Sequence, residues 1–192
     1  MANKHAQDLR RRIDAASENL SRQIQGMDTH MERADAPGEW TTREVLSHLL
    51  FKPGFDPATT LAAFSERDYP VVEIEPGATF LNEQRRQMTL SQFRDALDAQ
   101  RRRVLEYIEG LEEPAFERRK ARIPLFKQFM GTDEITIDMY LGAMFDYHWN
   151  DHAGSSRKSG RRSASAATPP RSPAGWTPSS HGRHQRARIA FG

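Results

Sequence analysis

The chain has 192 residues, a formal net charge of +2 and no cysteine. This length is sufficient for one domain with a hydrophobic core, and the absence of cysteine excludes disulfides, thiolate metal ligands and a cysteine nucleophile. No apolar run approaches the roughly 20 residues that cross a bilayer, and the charged N-terminal stretch lacks the apolar segment of a secretory signal. We therefore expect a cytoplasmic protein with no membrane partner.

Charge is distributed unevenly between two parts of the chain. Residues 155–192 contain eight of the 28 Lys and Arg residues and no Asp or Glu, so positions 1–154 carry an excess of acidic residues. The later part is also rich in Ser, Pro, Gly and Ala, a composition that buries too little apolar surface to fold. We predict a folded domain over 1–154 and a basic, disordered tail over 155–192, which is either native or the product of a shifted reading frame. The acidic domain is not expected to bind nucleic acid, and any such binding would depend on the tail.

Apolar residues recur every three or four positions near the start of the chain, which predicts a long amphipathic first helix. This stripe consists of Leu9, Ile13, Ala16, Leu20, Ile24 and Met27. A second helix is predicted after Thr41, because Glu44 follows at the spacing of a capping box. Pro53-Gly54 interrupts that helix, and Asp56-Pro57 favours a short third helix to about Glu66.

The next segment, residues 67–88, is predicted to be a long connection. Its one short extended piece, Val71–Ile74, is too little for a sheet. Thr89 and Gln92 repeat the capping-box spacing and begin another helix, which ends near Gly110.

A second long connection is predicted over residues 112–131, and a last helix is predicted to begin near Thr132 or Asp133. Four main helices with long connections predict an all-α fold, a four-helix bundle, with an irregular helical array as the alternative.

Three histidines lie at predicted inward-facing positions of two helices. His148 and His152 are four residues apart on the last helix, where they continue the apolar stripe through Met144 or Phe145. His48 lies beside the buried face of the second helix. Two imidazoles at this spacing can reach one ion, at about 2.0–2.1 Å from each nitrogen. Three protein ligands with an open position are typical of a catalytic zinc or nickel site. The alternatives are a solvent-facing helix end for the pair and a single core histidine for His48.

Two segments together resemble one protein family. GEWTTREVLSHLL, with Trp before a capped helix and His inside it, resembles the second helix of the DinB-like superfamily, and HWNDH resembles the HxxxH of its last helix. The resemblance covers about residues 5–154. It implies an up-down-down-up four-helix bundle, a homodimer, and a zinc or nickel ion bound by His48, His148 and His152. The sequence departs from the family at Pro53-Gly54 and after the last histidine, where the family's helices usually continue.

The resemblance also implies an activity. Members of this family include thiol S-transferases and thiol-dependent isomerases. We therefore expect a divalent-metal-dependent enzyme that acts on a small electrophile, with a low-molecular-weight thiol as cosubstrate because the chain has no cysteine. The alternative is a stress-response bundle protein that binds a metal or ligand without turnover.

Two acidic residues near the histidines are candidate catalytic groups. Glu44 precedes His48 by one helical turn, and Asp151 follows His148 by three residues. Either carboxylate could act as a general base or orient an imidazole. The competing interpretations are a helix cap for Glu44 and a solvated helix end for Asp151.

Overall fold

The structure is a computed structural model that describes residues 3–34 and 36–153; the tail predicted to be disordered lies outside the described residues. The helices are α1 (Lys4–Gln23), α2 (Thr42–Leu49), α3 (Pro57–Ala62), α4 (Glu83–Gln87), α5 (Leu90–Glu109), α6 (Ala115–Arg118), α7 (Lys127–Met130) and α8 (Ile137–Leu141). A π-helix (Gly142–Trp149) continues α8, and a last α-helical turn extends to residue 153. Two 3₁₀ turns cover Asp28–His30 and Pro124–Phe126, and the strands are β1 (Lys120–Arg122) and β2 (Glu134–Thr136).

The predicted four-helix bundle is confirmed, with α1, α2, α5 and the α8–π-helix segment as its main helices. Its core consists of the apolar faces that the periodicity predicts, and the whole α1 stripe is buried. The large fully buried side chains from the other helices include Leu46, Leu49, Phe93, Ile108, Phe145 and Trp149. Within the described ranges, no helix has the length and apolar character that a bilayer crossing requires.

Both predicted capping boxes are present. Thr41 Oγ1 accepts a hydrogen bond from the Glu44 N–H at 3.2 Å, and Glu44 Oε2 accepts one from the Thr41 N–H at 2.8 Å. Thr89 and Gln92 form the same pair of bonds, at 3.2 and 2.7 Å. Each box satisfies N–H groups that no helical carbonyl can reach. The start of α2 is thereby fixed, and His48 lies near its other end.

Two runs of three arginines, at residues 10–12 and 101–103, contribute side chains that connect helices across the bundle. Arg12 on α1 pairs with Asp146 on the π-helix and, at 3.4 Å, with Asp138 on α8. Arg101 on α5 pairs with Asp14 on α1. Such partly exposed pairs contribute about 0–1 kcal/mol each. These ion pairs therefore contribute little to the free energy of unfolding, and their main effect is on the alignment of the helices.

The connections contain a small sheet that the sequence analysis did not predict. β1 and β2 pair in antiparallel fashion, and Val71 forms a bridge with Arg122 on the other edge of β1. Because β2 occupies the residues before α8, the last helix begins at Ile137 and not near Thr132 or Asp133 as predicted. Thr136 caps it by accepting a hydrogen bond from a backbone N–H at 3.2 Å. The short helices α4, α6 and α7 are also unpredicted, since they lie in the predicted connections 67–88 and 112–131.

Candidate metal centre

Three imidazoles meet in the interior of the bundle. His48 lies on α2, His148 lies in the π-helix, and His152 lies in the α-helical turn that follows. The ring centroids are 4.8–4.9 Å apart in all three pairs. His48 and His148 are fully buried, and His152 is half-buried. The fold therefore brings together the three histidines predicted as ligands, although His48 and His148 are 100 residues apart.

The π-helix is a local feature of this site. In such a segment each N–H bonds to the carbonyl five residues earlier, and π-helical turns occur frequently at functional sites. Here the segment spans Gly142–Trp149 and contains His148. The four-residue spacing of His148 and His152 places both side chains on one face of a regular α-helix. The two histidines converge here although their helix is partly π-helical.

A backbone carbonyl sets the tautomer of His48. Its Nδ1 lies 2.7 Å from the carbonyl oxygen of Ala78. Because a carbonyl only accepts hydrogen bonds, Nδ1 is the protonated nitrogen of the neutral ring, and Nε2 is left with its lone pair. Nε2 faces the cluster, 2.8 Å from His148 Nε2. A metal-ligating histidine is usually arranged in this way, with one nitrogen on the ion and the other donating to a carbonyl or carboxylate.

The surroundings keep two of the imidazoles neutral. The pKa of His48 is lowered to about 4, mainly by burial and also by the nearby His152, whereas the hydrogen bond to Ala78 opposes the shift. Burial also lowers the pKa of His148 well below its ordinary value, with contributions from His152 and His48. A neutral imidazole is the form that binds a metal ion. The lowered pKa values of His48 and His148 therefore disfavour protonation and leave both imidazoles free to bind a metal cation.

The separations between the nitrogens fit one ion. Two nitrogens bound to a tetrahedral zinc at about 2.0–2.1 Å are roughly 3.3 Å apart. His48 Nε2 and His148 Nε2 are 2.8 Å apart, and one ligand atom from each histidine lies within 4.8 Å of the others. The required separation of roughly 3.3 Å lies between these two distances. Small rotations of the rings would therefore let all three reach a single ion.

Aromatic side chains enclose the cluster. Trp40 lies 4.8 Å from the His48 ring and is stacked on His152 at 6.0 Å, with 7° between the ring planes. Phe80 is stacked parallel to His48 at 6.4 Å. Phe51 lies 6.2 Å from His148. These rings restrict the orientations of the imidazoles and limit the access of water to them.

A buried arginine organises two of these aromatic residues. Phe51 and Phe80 have positive φ values of 58° and 52°, a left-handed conformation that costs a bulky residue on the order of 1–3 kcal/mol. Arg85 Nη1 donates to the carbonyl oxygens of Phe51 at 2.6 Å and Phe80 at 3.3 Å. It also donates to the carbonyl oxygen of Ser47 at 2.8 Å. One guanidinium thus holds both strained residues against the end of α2 that carries His48.

The two candidate catalytic acids are placed differently. The Glu44 carboxylate accepts hydrogen bonds from Thr41, from its N–H at 2.8 Å and from its hydroxyl at 3.0 Å. The helix-cap interpretation of Glu44 is therefore supported. Asp151 is exposed and forms no hydrogen bond or ion pair with the residues that the structure describes. Catalytic roles for Glu44 and Asp151 remain predictions.

The variant Glu44→Gln separates the two interpretations of Glu44. Glutamine also forms a capping box, so the free energy of unfolding should change by less than about 0.5 kcal/mol. We expect metal-dependent activity within about twofold of the parent protein, because the carboxylate is occupied by the cap. Chemical denaturation and rate measurements check this, with Thr41→Ala as the variant that breaks the cap at a cost of about 1 kcal/mol. A large loss of rate at unchanged stability would instead support a catalytic Glu44.

Ala78, Phe80 and Arg85 were not predicted as residues of the site. All three lie in the predicted 67–88 connection, and no spacing relates them to the histidines. One signal was present: Asn82 accepts a hydrogen bond from the Arg85 N–H at 2.9 Å, an N-cap that begins α4. An Asn followed by charged residues is typical of a helix start, and it would have placed Arg85 on a helix.

The fold and the histidine cluster together define a four-helix bundle with three histidines that could bind a metal, as the resemblance implied. A solved structure that the chain resembles is YfiT from Bacillus subtilis, described as a probable metal-dependent hydrolase with an unusual four-helix bundle topology. The TM-score is 0.64 at 17% sequence identity, over 85% of this chain and 90% of that chain. At this identity the likeness establishes a shared fold. No protein-family model and no curated protein matches the chain.

Proposed function

We propose that the protein is a divalent-metal-dependent hydrolase with His48, His148 and His152 as the metal ligands. The observation that carries this proposal is the convergence of three imidazoles, 4.8–4.9 Å apart between ring centroids, inside the bundle. The description of YfiT as a probable metal-dependent hydrolase supports the same reaction class.

A divalent ion with three neutral protein ligands supplies Lewis-acid activation of water and of a substrate carbonyl. The side chains of this chain supply the rest. His48 presents Nε2 to the site because Ala78 holds its Nδ1. Trp40 and Phe80 restrict the rings and exclude bulk water, which strengthens electrostatic interactions within the site. The overall reaction adds water across an acyl bond and releases an acid and an alcohol or amine.

The choice between zinc and nickel is open in this proposal, because imidazole ligands suit both ions. A thiol S-transferase or isomerase that uses a low-molecular-weight thiol is the related reaction that the sequence resemblance implies. A bundle protein that binds metal without turnover is the non-catalytic alternative. We also propose that the protein is a homodimer, which light scattering coupled to size-exclusion chromatography would test.

Hydrolysis of p-nitrophenyl acetate tests the proposed reaction. The zinc- or nickel-loaded protein should exceed the metal-free protein in rate by at least about tenfold, because the ion supplies the activated water. The triple variant His48→Ala, His148→Ala, His152→Ala should be no faster than free metal. Equal rates with and without a bound ion would support the non-catalytic alternative. Turnover that appears only when a thiol is added, with a thiol adduct as product, would support the transferase.

A further inference from the structure

A small cavity lies beside the histidine cluster and shares one residue with it. We call it the apolar pocket, and its lining residues are Phe51, Ile74, Phe126, Tyr140, Met144 and His148. Because His148 belongs to both the pocket and the cluster, a molecule bound in the pocket contacts a candidate metal ligand. The pocket is therefore placed to hold the part of a substrate next to the bond that reacts.

The residues that line the apolar pocket disfavour the binding of a charged ligand. Apart from His148 and one tyrosine hydroxyl, its walls are aliphatic, aromatic or thioether groups, and none of the described residues that line it is Asp, Glu, Lys or Arg. Burial of an ion in such surroundings without a partner of opposite charge is strongly unfavourable. An uncharged group is the occupant that these walls favour.

The size of the apolar pocket limits the occupant further. The cavity volume is about 10 Å³, which is close to the space needed by one water-sized group. A methyl group is of this size, whereas a longer chain has to displace packed side chains. The lining residue Ile74 is half-buried and lies in the connection between α3 and α4. Truncation of Ile74 is therefore the change that enlarges the pocket with little effect on the helices.

Tyr140 supplies a polar group in this apolar setting. Its side chain is buried, and its hydroxyl forms no hydrogen bond with the residues that the structure describes. By contrast, the Tyr107 hydroxyl donates to the carbonyl oxygen of Leu61 at 3.0 Å. The Tyr140 hydroxyl therefore has a hydrogen bond to offer to a ligand, and burial raises its pKa, so that it keeps its proton.

We propose that the apolar pocket binds the terminal methyl group of a small, uncharged acyl compound and that the Tyr140 hydroxyl donates a hydrogen bond to its carbonyl oxygen. This inference rests on the proposed hydrolase function, since it places the acyl group beside the histidine cluster. Tyr140 is a substrate-binding residue in this assignment, and the substrate class is a short-chain neutral ester or amide.

Binding of three small probes to the metal-free, full-length protein tests the pocket without any contribution from a bound ion. Acetamide, butyramide and acetate share a carbonyl group and differ in chain length or charge. By ligand-observed NMR, acetamide should bind about tenfold more tightly than butyramide, because the longer chain overpacks the cavity. Acetate should bind more weakly than acetamide. Equal binding of all three, or no binding of acetamide, would overturn the proposal.

Two tyrosine variants test the hydrogen bond. Tyr140→Phe should weaken acetamide binding by about fivefold, the equivalent of one hydrogen bond. The same variant should leave the denaturation midpoint nearly unchanged, because the Tyr140 hydroxyl forms no hydrogen bond with the described residues. Tyr107→Phe is the matched control: its midpoint should fall and its acetamide affinity should stay the same. An unchanged acetamide affinity in Tyr140→Phe would exclude the hydroxyl as the donor.

Two aliphatic variants test the size limit by activity and by binding. Ile74→Ala should shift the preference of the metal-loaded enzyme from p-nitrophenyl acetate towards p-nitrophenyl butyrate, and it should strengthen butyramide binding to the metal-free protein. Val72→Ala, in the same connection but outside the pocket, should change neither preference. A shift of equal size in both variants would overturn the assignment of Ile74 as a pocket wall.

The two proposals fail in different ways. Metal binding and ester hydrolysis without any discrimination among the three probes would overturn the pocket assignment and leave the hydrolase standing. Discrimination among the probes without metal binding would support the pocket and overturn the metal-dependent hydrolase.

Discussion

Alanine at any one of His48, His148 and His152 is expected to weaken zinc binding by a hundredfold or more. Binding of structural zinc contributes an apparent 10–16 kcal/mol for four ligands, so one ligand corresponds to about 3 kcal/mol, or roughly a hundredfold. The parent protein should bind one ion per chain by equilibrium dialysis with elemental analysis. Because the ion binds only the folded protein, it should also raise the free energy of unfolding, by about 2.7 kcal/mol at a free concentration of 100 times Kd.

The histidines outside the cluster provide the controls for this measurement. His181 and His184 in the tail can bind metal independently, so every sample should carry alanine at both positions. His30→Ala removes a half-buried histidine of the bundle that is not part of the cluster, and it should leave zinc affinity unchanged. If His30→Ala and His48→Ala weakened binding equally, or if the parent protein bound no ion, the three-histidine site would be wrong.

Periodicity and capping chemistry explain why much of the fold was predictable. The apolar stripe predicted for the first helix runs to Met27, beyond the observed end of α1 at Gln23, and every residue predicted for it is buried. Thr41 and Glu44 form the predicted capping box, so the start of α2 could be placed correctly. With α2 and the last helix assigned, the inward positions of their histidines followed from spacing. The sequence thus predicted which imidazoles meet, although each spacing alone is weak.

The surroundings of the histidines depend on contacts that spacing does not encode. The left-handed backbone at Phe51 and Phe80 is unusual for phenylalanine, and no residue type in these segments indicates it. The bond from His48 to Ala78 joins α2 to a connection 30 residues later. The small sheet was missed for a similar reason, because three-residue strands are too short for alternation to be recognised. Such features arise only when the connections pack onto the bundle.

Both strained phenylalanines depend on the same guanidinium, and this makes Arg85 the residue outside the cluster with the largest expected effect. Arg85→Met removes the donor from the carbonyl oxygens of Ser47, Phe51 and Phe80. A hydrogen bond to a charged group contributes about 1.5–3 kcal/mol, so the loss of the two short ones should lower the free energy of unfolding by about 3–6 kcal/mol. Zinc affinity should also fall by about 10–100-fold, the usual effect of losing a group that orients metal ligands.

Two further variants distinguish a loss of zinc affinity that is specific to the metal site from a general loss of stability. They are Arg85→Lys and Arg43→Met. Lysine keeps a donor and the charge, so Arg85→Lys should recover part of both losses. Arg43 Nη1 donates to the carbonyl oxygens of Arg85, at 3.2 Å, and Met88, and within the described residues it forms no hydrogen bond with Phe51 or Phe80. Arg43→Met should therefore reduce stability while zinc affinity changes little. Urea denaturation and zinc competition titrations measure the two quantities separately. If Arg43→Met lowered zinc affinity as much as Arg85→Met at equal loss of stability, the guanidinium of Arg85 would have no special role in orienting His48.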